Sequence, residues 1–488
     1  MSSLAAIRSI ANQQPVNLRW EKLYSEAELY KAAVRLYTNP LFNWRKALST
    51  STDGRTLYDF ARHGHRNLEE LHRRLQCRRF HFRAGLALRF NFNGRLRTLY
   101  IYPWEERLVD LVLYRLLSRR FHNCFSPNSY AYRYRGYGVD RCQKRIATLL
   151  RALPQPVYVM KRDIADYFPS VDHQILEEQL KDVCAPGDYL LELLEERIRF
   201  SYSESGFPAT ACRGIPFGTA IACFFANVYL TGLDARMSRV PRLCYFRYAD
   251  DLLAFSQARD AVLEAGAAFE KEIGALNLRS KPSHELDLAL CQMPVADPRF
   301  RWATHFRHLG LEHRANGVTG LSRDKFRKIC NLFRFQFRRH RAKFGRMMDP
   351  GKKARHAIEL ARKTLEASPR NVAIIDYYLK HVEDEAQLRL LDRWLAEAVL
   401  SIAFGGGHRK SHFRLMPYER LREMGLPSLV HRRRLIRHGH IESPFFVWKQ
   451  TQAEKSSRRP AARPHRSVSH AAKAAFSPVP EAAATQSS

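Results

Sequence analysis

Cys244-Tyr245-Phe246-Arg247-Tyr248-Ala249-Asp250-Asp251-Leu252-Leu253-Ala254-Phe255 places two adjacent carboxylates between an aromatic run and an apolar one. Residues of these kinds favour strands, and the acidic pair falls where a tight turn would join them, so the stretch predicts a β-hairpin. Adjacent carboxylates repel each other. A chain that keeps them together usually neutralises them with cations, and paired Mg²⁺ is the usual choice for phosphoryl chemistry. A solvated Asp-Asp turn would be written with the same residues. A third carboxylate elsewhere decides between the two.

Asp163 supplies it. Val157-Tyr158-Val159-Met160 reads as a strand with Asp163 at its end, and Pro169-Ser170 breaks the chain before a helix headed by Asp172. One carboxylate at a strand end and two on a hairpin can chelate two metal ions about 4 Å apart, the geometry of in-line nucleotidyl transfer. Taken alone, Asp163 reads equally as a helix cap or a surface residue. Between these segments lies Arg213-Gly214-Ile215-Pro216-Phe217-Gly218, a loop whose glycines let the backbone approach something closely. The small and apolar residues from Thr219 to Leu230 suit a helix packed tightly on a sheet.

In this order the segments resemble the reverse transcriptases, in particular the bacterial lineage of group II intron, retron, diversity-generating and defence-associated enzymes. The likeness runs from about Arg95 to Ser322. Arg97-Thr98-Leu99-Tyr100-Ile101-Tyr102-Pro103 is similar to the strand whose arginine grips the incoming triphosphate. Phe125-Ser126-Pro127-Asn128-Ser129-Tyr130-Ala131-Tyr132-Arg133 is similar to the Ser-Tyr-Gly-hydrophobic-Arg fingers block. Leu276-Asn277-Leu278-Arg279-Ser280-Lys281 resembles the lysine-bearing palm block, and His308-Leu309-Gly310-Leu311 the hairpin that supports the primer end.

The resemblance implies an α+β right-hand polymerase, with fingers and palm of antiparallel sheet plus helices, and a helical thumb and C-terminal region. It implies that Asp163 and Asp250 hold two Mg²⁺ ions, or Mn²⁺ in their place, with Asp251 beside them and the Ile164 carbonyl completing the shell. Arg95, Arg97 and Lys281 would balance the triphosphate, and Asp166 or its backbone would line its pocket. Each basic residue also reads as a solvated charge on a basic chain. Phe168 stands where relatives place the aromatic that packs under the sugar and excludes a 2′-hydroxyl. Phe217, beside Gly218 in the nucleotide-contacting loop, replaces the glutamine of many relatives. Phenylalanine can pack but cannot hydrogen-bond, so the way a template is read stays open.

Composition points to a polyanionic partner independently. Lys and Arg number 81 against 48 Asp and Glu, a net charge of +33. Between Phe326 and Arg346 no acidic residue occurs, and Phe326, Ile329, Phe333 and Phe337 recur at helical spacing. They form the expected buried stripe, leaving Arg334, Arg338 and Arg341 to face nucleic acid.

The expected succession is a mostly helical extension (1–90), fingers and palm (91–322), a basic helical thumb and C-terminal region (323–450), and a disordered Ala, Ser, Pro and Arg tail (451–488). The nine cysteines contain no CxxC pair, so neither a zinc ribbon nor a disulfide framework is indicated, and a reducing cytoplasm is the expected setting. No run is long enough for a membrane span. The expected activity is RNA-directed DNA synthesis with an RNA template, a DNA product and dNTPs as partners, in bacterial antiviral defence. A cognate non-coding RNA, a second protein of the same operon and oligomerisation are compatible with it. The alternatives are template-independent or protein-primed synthesis by the same site, a mobile-element enzyme, and an inactive RNA-binding scaffold.

Overall fold

The computed structural model describes residues 25–38, 50–92, 95–133, 136–181, 184, 187–282, 286–366 and 369–440. The expected tail 451–488, and residues 1–24 and 39–49 of the N-terminal segment, lie outside the described residues. Helices α1 (Glu26–Thr38), α2 (Leu57–Arg62) and α3 (Gly64–Gln76) precede strands β1 (Gly85–Phe92) and β2 (Arg95–Ile101) and helix α4 (Trp104–Arg120). Next come α5 (Val139–Ala152), β3 (Val157–Asp163), the single turn α6 (Tyr167–Ser170), α7 (His173–Lys181), α8 (Tyr189–Ile198), β4 (Ser201–Glu204) and β5 (Phe207–Thr210). Helices α9 (Ala222–Tyr229) and α10 (Thr231–Met237) lead into β6 (Cys244–Tyr248), β7 (Asp251–Ser256), α11 (Arg259–Ala275), β8 (Leu286–Leu290) and β9 (Arg301–Ala303). Strands β10 (His305–His308), β11 (Leu311–Arg314) and β12 (Thr319–Leu321) follow. The remaining described elements are helices: α12 (Arg323–Arg339), α13 (Arg341–Gly345), α14 (Pro350–Glu366), α15 (Pro369–His381), α16 (Glu385–Phe404), α17 (His412–Leu415), α18 (Tyr418–Glu423) and α19 (Leu429–Arg437). The α+β class is as expected.

Packing divides the chain into two units. Among the described residues the first comprises everything up to Gly138 together with Val159–Asp287, and the second Val139–Tyr158 together with the residues from Leu288. In the first unit β2, β1, β4 and β5 form one sheet, and the antiparallel β6–β7 hairpin lies beside β3 in another. Leu252, Leu253, Ala254 and Phe255 of β7 are all buried, which requires cover on both faces of the strand. Helix α11 packs against β7 and supplies part of that cover. Pro169-Ser170 does not simply break the chain: it closes the turn α6, which starts after Asp166 in the left-handed region.

In the second unit β10, β11 and β12 form an antiparallel sheet. Leu311 and Leu321 from that sheet share one core with Ile329, Phe333 and Phe337 of α12 and with α14, α15 and α16. This is why 288–322 packs with the helices that follow it. The expected stripe is the buried face of α12, with Phe326 partly buried at its start. Helix α16 is capped by the Asp384 side chain at one end and by Gly405, at φ +78°, at the other.

Candidate active site

Asp163 ends β3, and backbone hydrogen bonds gather the acidic hairpin turn and the basic 279–281 segment around it. The Ile164 N–H donates to the Asp250 carbonyl (3.3 Å), the Lys281 N–H to the Asp163 carbonyl (2.9 Å) and the Ala165 N–H to the Arg279 carbonyl (2.9 Å). Strand end, hairpin turn and the 279–281 segment therefore meet. In the hairpin Tyr248 pairs with Asp251, leaving Ala249 and Asp250 as a two-residue turn. Ala249 sits at φ +60°, where a small residue is strained least. Beneath the turn the fully buried Arg247 donates to both Asp234 carboxylate oxygens (2.7 and 2.6 Å) and to the Ala249 carbonyl (3.1 Å). The turn that presents the acidic pair is thus braced by a buried ion pair.

Burial pushes the Asp250 carboxyl up to about 6, helped by the charges of Asp163 and Asp251 and opposed by Arg97. The carboxylates are close enough to repel. Two lysines answer part of that charge: Lys281 Nζ lies 3.7 Å from Asp163 and Lys161 Nζ 3.5 Å from Asp251. Among the described residues no three Asp, Glu, His or Cys side chains converge as a ready-made cation cage. The donor set itself, carboxylates with a neighbouring carbonyl, consists of hard oxygens that could hold a divalent cation.

The nucleotide-side candidates are held against one another by β2 and the 213–218 loop. The Tyr100 N–H donates to the Phe217 carbonyl (3.0 Å), fixing that loop along β2. Gly218 has φ +109°, and a Cβ there would collide with Leu99, so the close approach requires glycine. At the loop's other end the Gly214 N–H donates to the Val171 carbonyl (2.7 Å) and the Ile215 N–H to the Phe168 carbonyl (2.9 Å). Phe168 and Phe217 consequently meet edge to face, with centroids 5.6 Å apart, and the Arg97 guanidinium lies 5.7 Å from the Phe217 ring centre. Asp166, exposed at φ +43°, borders a cleft of about 890 Å³ with Arg213 and Arg279.

Most of the sequence-based candidates in the first unit are therefore neighbours. Arg95 opens β2, but its side chain lies outside the described residues. Arg334, Arg338 and Arg341 belong to the second unit, exposed on α12 and α13, with Arg334 over the Trp394 ring at 5.0 Å. Sequence reasoning missed Lys161, Arg247 and Asp234. Arg247 did leave a signal, an arginine inside an otherwise aromatic and apolar strand.

Residues 93–286 match the family described as reverse transcriptase (RNA-dependent DNA polymerase). The match contains Asp163, Asp250, Asp251 and Lys281 and ends before the His308–Leu311 hairpin. No curated protein matches the chain. Among solved structures it is similar to the apo telomerase from Candida tropicalis truncated from its C-terminal domain, at 9% identity and a TM-score of 0.40. That likeness covers 56% of this chain and 63% of the telomerase, so the chain spans less than two thirds of its length. The Candida albicans telomerase in complex with a TWJ fragment of telomeric RNA matches at 10% identity and a TM-score of 0.41, over 72% of this chain and 67% of that one. By its family match, the chain carries a reverse transcriptase domain, an RNA-directed DNA polymerase module of the nucleotidyltransferase class, over residues 93–286.

Proposed function

We propose that the chain copies RNA into DNA by adding dNTPs to a primer 3′-hydroxyl, with Asp163, Asp250 and Asp251 as the catalytic carboxylates. The observation that carries the reading is the hydrogen bond from Ile164 to the Asp250 turn, which makes the end of β3 and the hairpin one acidic centre. Burial raises the Asp250 carboxyl, Asp163 and Asp251 add to it by repulsion, and that repulsion is what bound cations would relieve. Asp163, Asp250, Asp251 and the Ile164 carbonyl would hold two Mg²⁺ ions, or Mn²⁺, which supply charge neutralisation and a more acidic primer hydroxyl. Lys281 and Lys161, which lie against the carboxylates, are placed to turn to phosphate oxygens. Arg97, with Arg95 on the same strand, balances the triphosphate, and the backbone around Asp166 lines its path.

Phe168 packs under the sugar and selects deoxynucleotides, held at its angle by the Phe217 ring. Phe217 favours a second reading, synthesis without a template, because its side chain offers the nucleotide no hydrogen bond. Extension of a primed RNA with each dNTP and Mg²⁺, beside a reaction lacking template, separates the two. Product only with template supports RNA-directed synthesis, product in both supports the second reading, and no product from the intact chain contradicts both. For the biological setting we propose antiviral defence, resting on the resemblance. Phage plating on cells that express the intact chain or Asp250→Ala tests it, and equal plaque counts contradict it.

A further inference from the structure

The second unit contains a cavity of about 390 Å³ bounded by α5, β11, β12, α15 and α19. Lys144, Arg151, Lys380, His381, Arg437 and one acidic residue, Glu383, line it, and the buried Thr319 contributes to its wall. Three of the basic groups are answered in place. Arg151 lies 3.0 Å from Glu383, and Lys380 and His381 lie 3.3 and 2.9 Å from Asp140. Lys144 and Arg437 have no acidic partner among the described residues. Arg433, one turn before Arg437 on α19, is held below its ordinary value chiefly by burial, with the Arg437 charge adding to it and Glu385 and Glu383 opposing it.

Thr319 is an independent sign. Its backbone is fully engaged: the N–H donates to Glu383 Oε2 (3.3 Å), and the carbonyl accepts from the Glu383 N–H (2.7 Å). Its hydroxyl is buried, with no hydrogen-bond partner among the described residues. A buried hydroxyl left without a partner is destabilising, and a ligand oxygen that reached it from the cavity would offset the loss. The volume lies within the range that admits one nucleotide.

We propose that this cavity binds a phosphate group, carried by a free nucleotide or by a nucleic-acid strand. Lys144 and Arg437 supply the charge and the Thr319 hydroxyl donates to a phosphate oxygen. Leu311, from the segment likened to the primer-supporting hairpin, is in its wall, but none of the catalytic carboxylates or nucleotide-side candidates is.

The full chain in EDTA, which suppresses metal-dependent nucleotide binding, is titrated with ATP by calorimetry and with a fluorescein-labelled single-stranded RNA decamer by anisotropy. Lys144→Ala/Arg437→Ala should weaken at least one probe tenfold or more. Arg409→Ala/Lys410→Ala removes the same charge from exposed positions of the same unit and should cost less than threefold. Thr319→Val, which changes no charge, should weaken the same probe about threefold while leaving Tm equal or higher. Loss for ATP assigns the site to a free nucleotide, and loss for RNA alone assigns it to a strand. The proposal is overturned if neither probe binds, or if Thr319→Val and the Lys144/Arg437 variant both stay folded and bind within twofold of the charge-matched control.

Discussion

Asp250 is destabilised by its burial and by the same acidic neighbours that give it a use. Its carboxyl titrates at about 6 in the folded, metal-free chain and near 4 when unfolded, so the folded state binds protons more tightly. Stability of the metal-free protein should therefore fall as pH rises from about 4 through 6, and the loss is complete above that window. Asp250→Asn removes the penalty. In EDTA its Tm should exceed that of the intact chain at pH 8, by an amount equivalent to about 1–3 kcal/mol, with the gap closing at pH 4. A gap unchanged between the two pH values contradicts this origin. Phe168 makes a different demand. Phe168→Ala opens the space under the sugar and should lower the preference for dNTP over NTP by about tenfold or more in single-nucleotide incorporation. Phe217→Gln restores a hydrogen-bonding group and should change discrimination between paired and mispaired nucleotides more than it changes stability.

At the scale of elements the β6–β7 hairpin depends on a residue that never reaches the reacting atoms. Removing one partner of the buried Arg247–Asp234 pair leaves an uncompensated charge, so Arg247→Leu should cost about 3–5 kcal/mol in denaturant unfolding. Arg247→Leu/Asp234→Leu should recover much of that loss, and a double variant no more stable than the single would contradict the pairing. This element also shows what local sequence can and cannot carry. Alternating aromatic and apolar runs around a short acidic turn announce a hairpin by themselves, and Gly214 and Gly218 announce a close approach. The approach is to Pro169 and Leu99 respectively, which no local pattern could name. Lys161 on Asp251, Lys281 on Asp163 and Asp234 under Arg247 likewise depend on which distant segments pair. On α12 the apolar period alone placed Ile329, Phe333 and Phe337 inside, because a helical stripe is read without knowing its partner.

For the whole molecule the charge of +33 predicts that nucleic-acid binding is governed by salt. Arg334→Ala/Arg338→Ala/Arg341→Ala should weaken binding of a primed RNA at all sequences and lower the slope of log affinity against log salt by about 2–3, while leaving the rate of chemistry at saturating substrate unchanged. An unaltered slope would remove these arginines from the nucleic-acid surface. The central claim is narrower: one centre built from Asp163, Asp250 and Asp251 performs the transfer. It is tested most directly by single-nucleotide extension of a primed RNA template with dNTP and Mg²⁺, comparing the intact chain with Asp163→Asn, Asp250→Asn and Asp251→Asn at equal folded concentration. Losses of about a thousandfold or more for Asp163→Asn and Asp250→Asn, with a smaller or equal loss for Asp251→Asn, are predicted. Extension by Asp163→Asn or Asp250→Asn within tenfold of the intact chain would contradict the assignment.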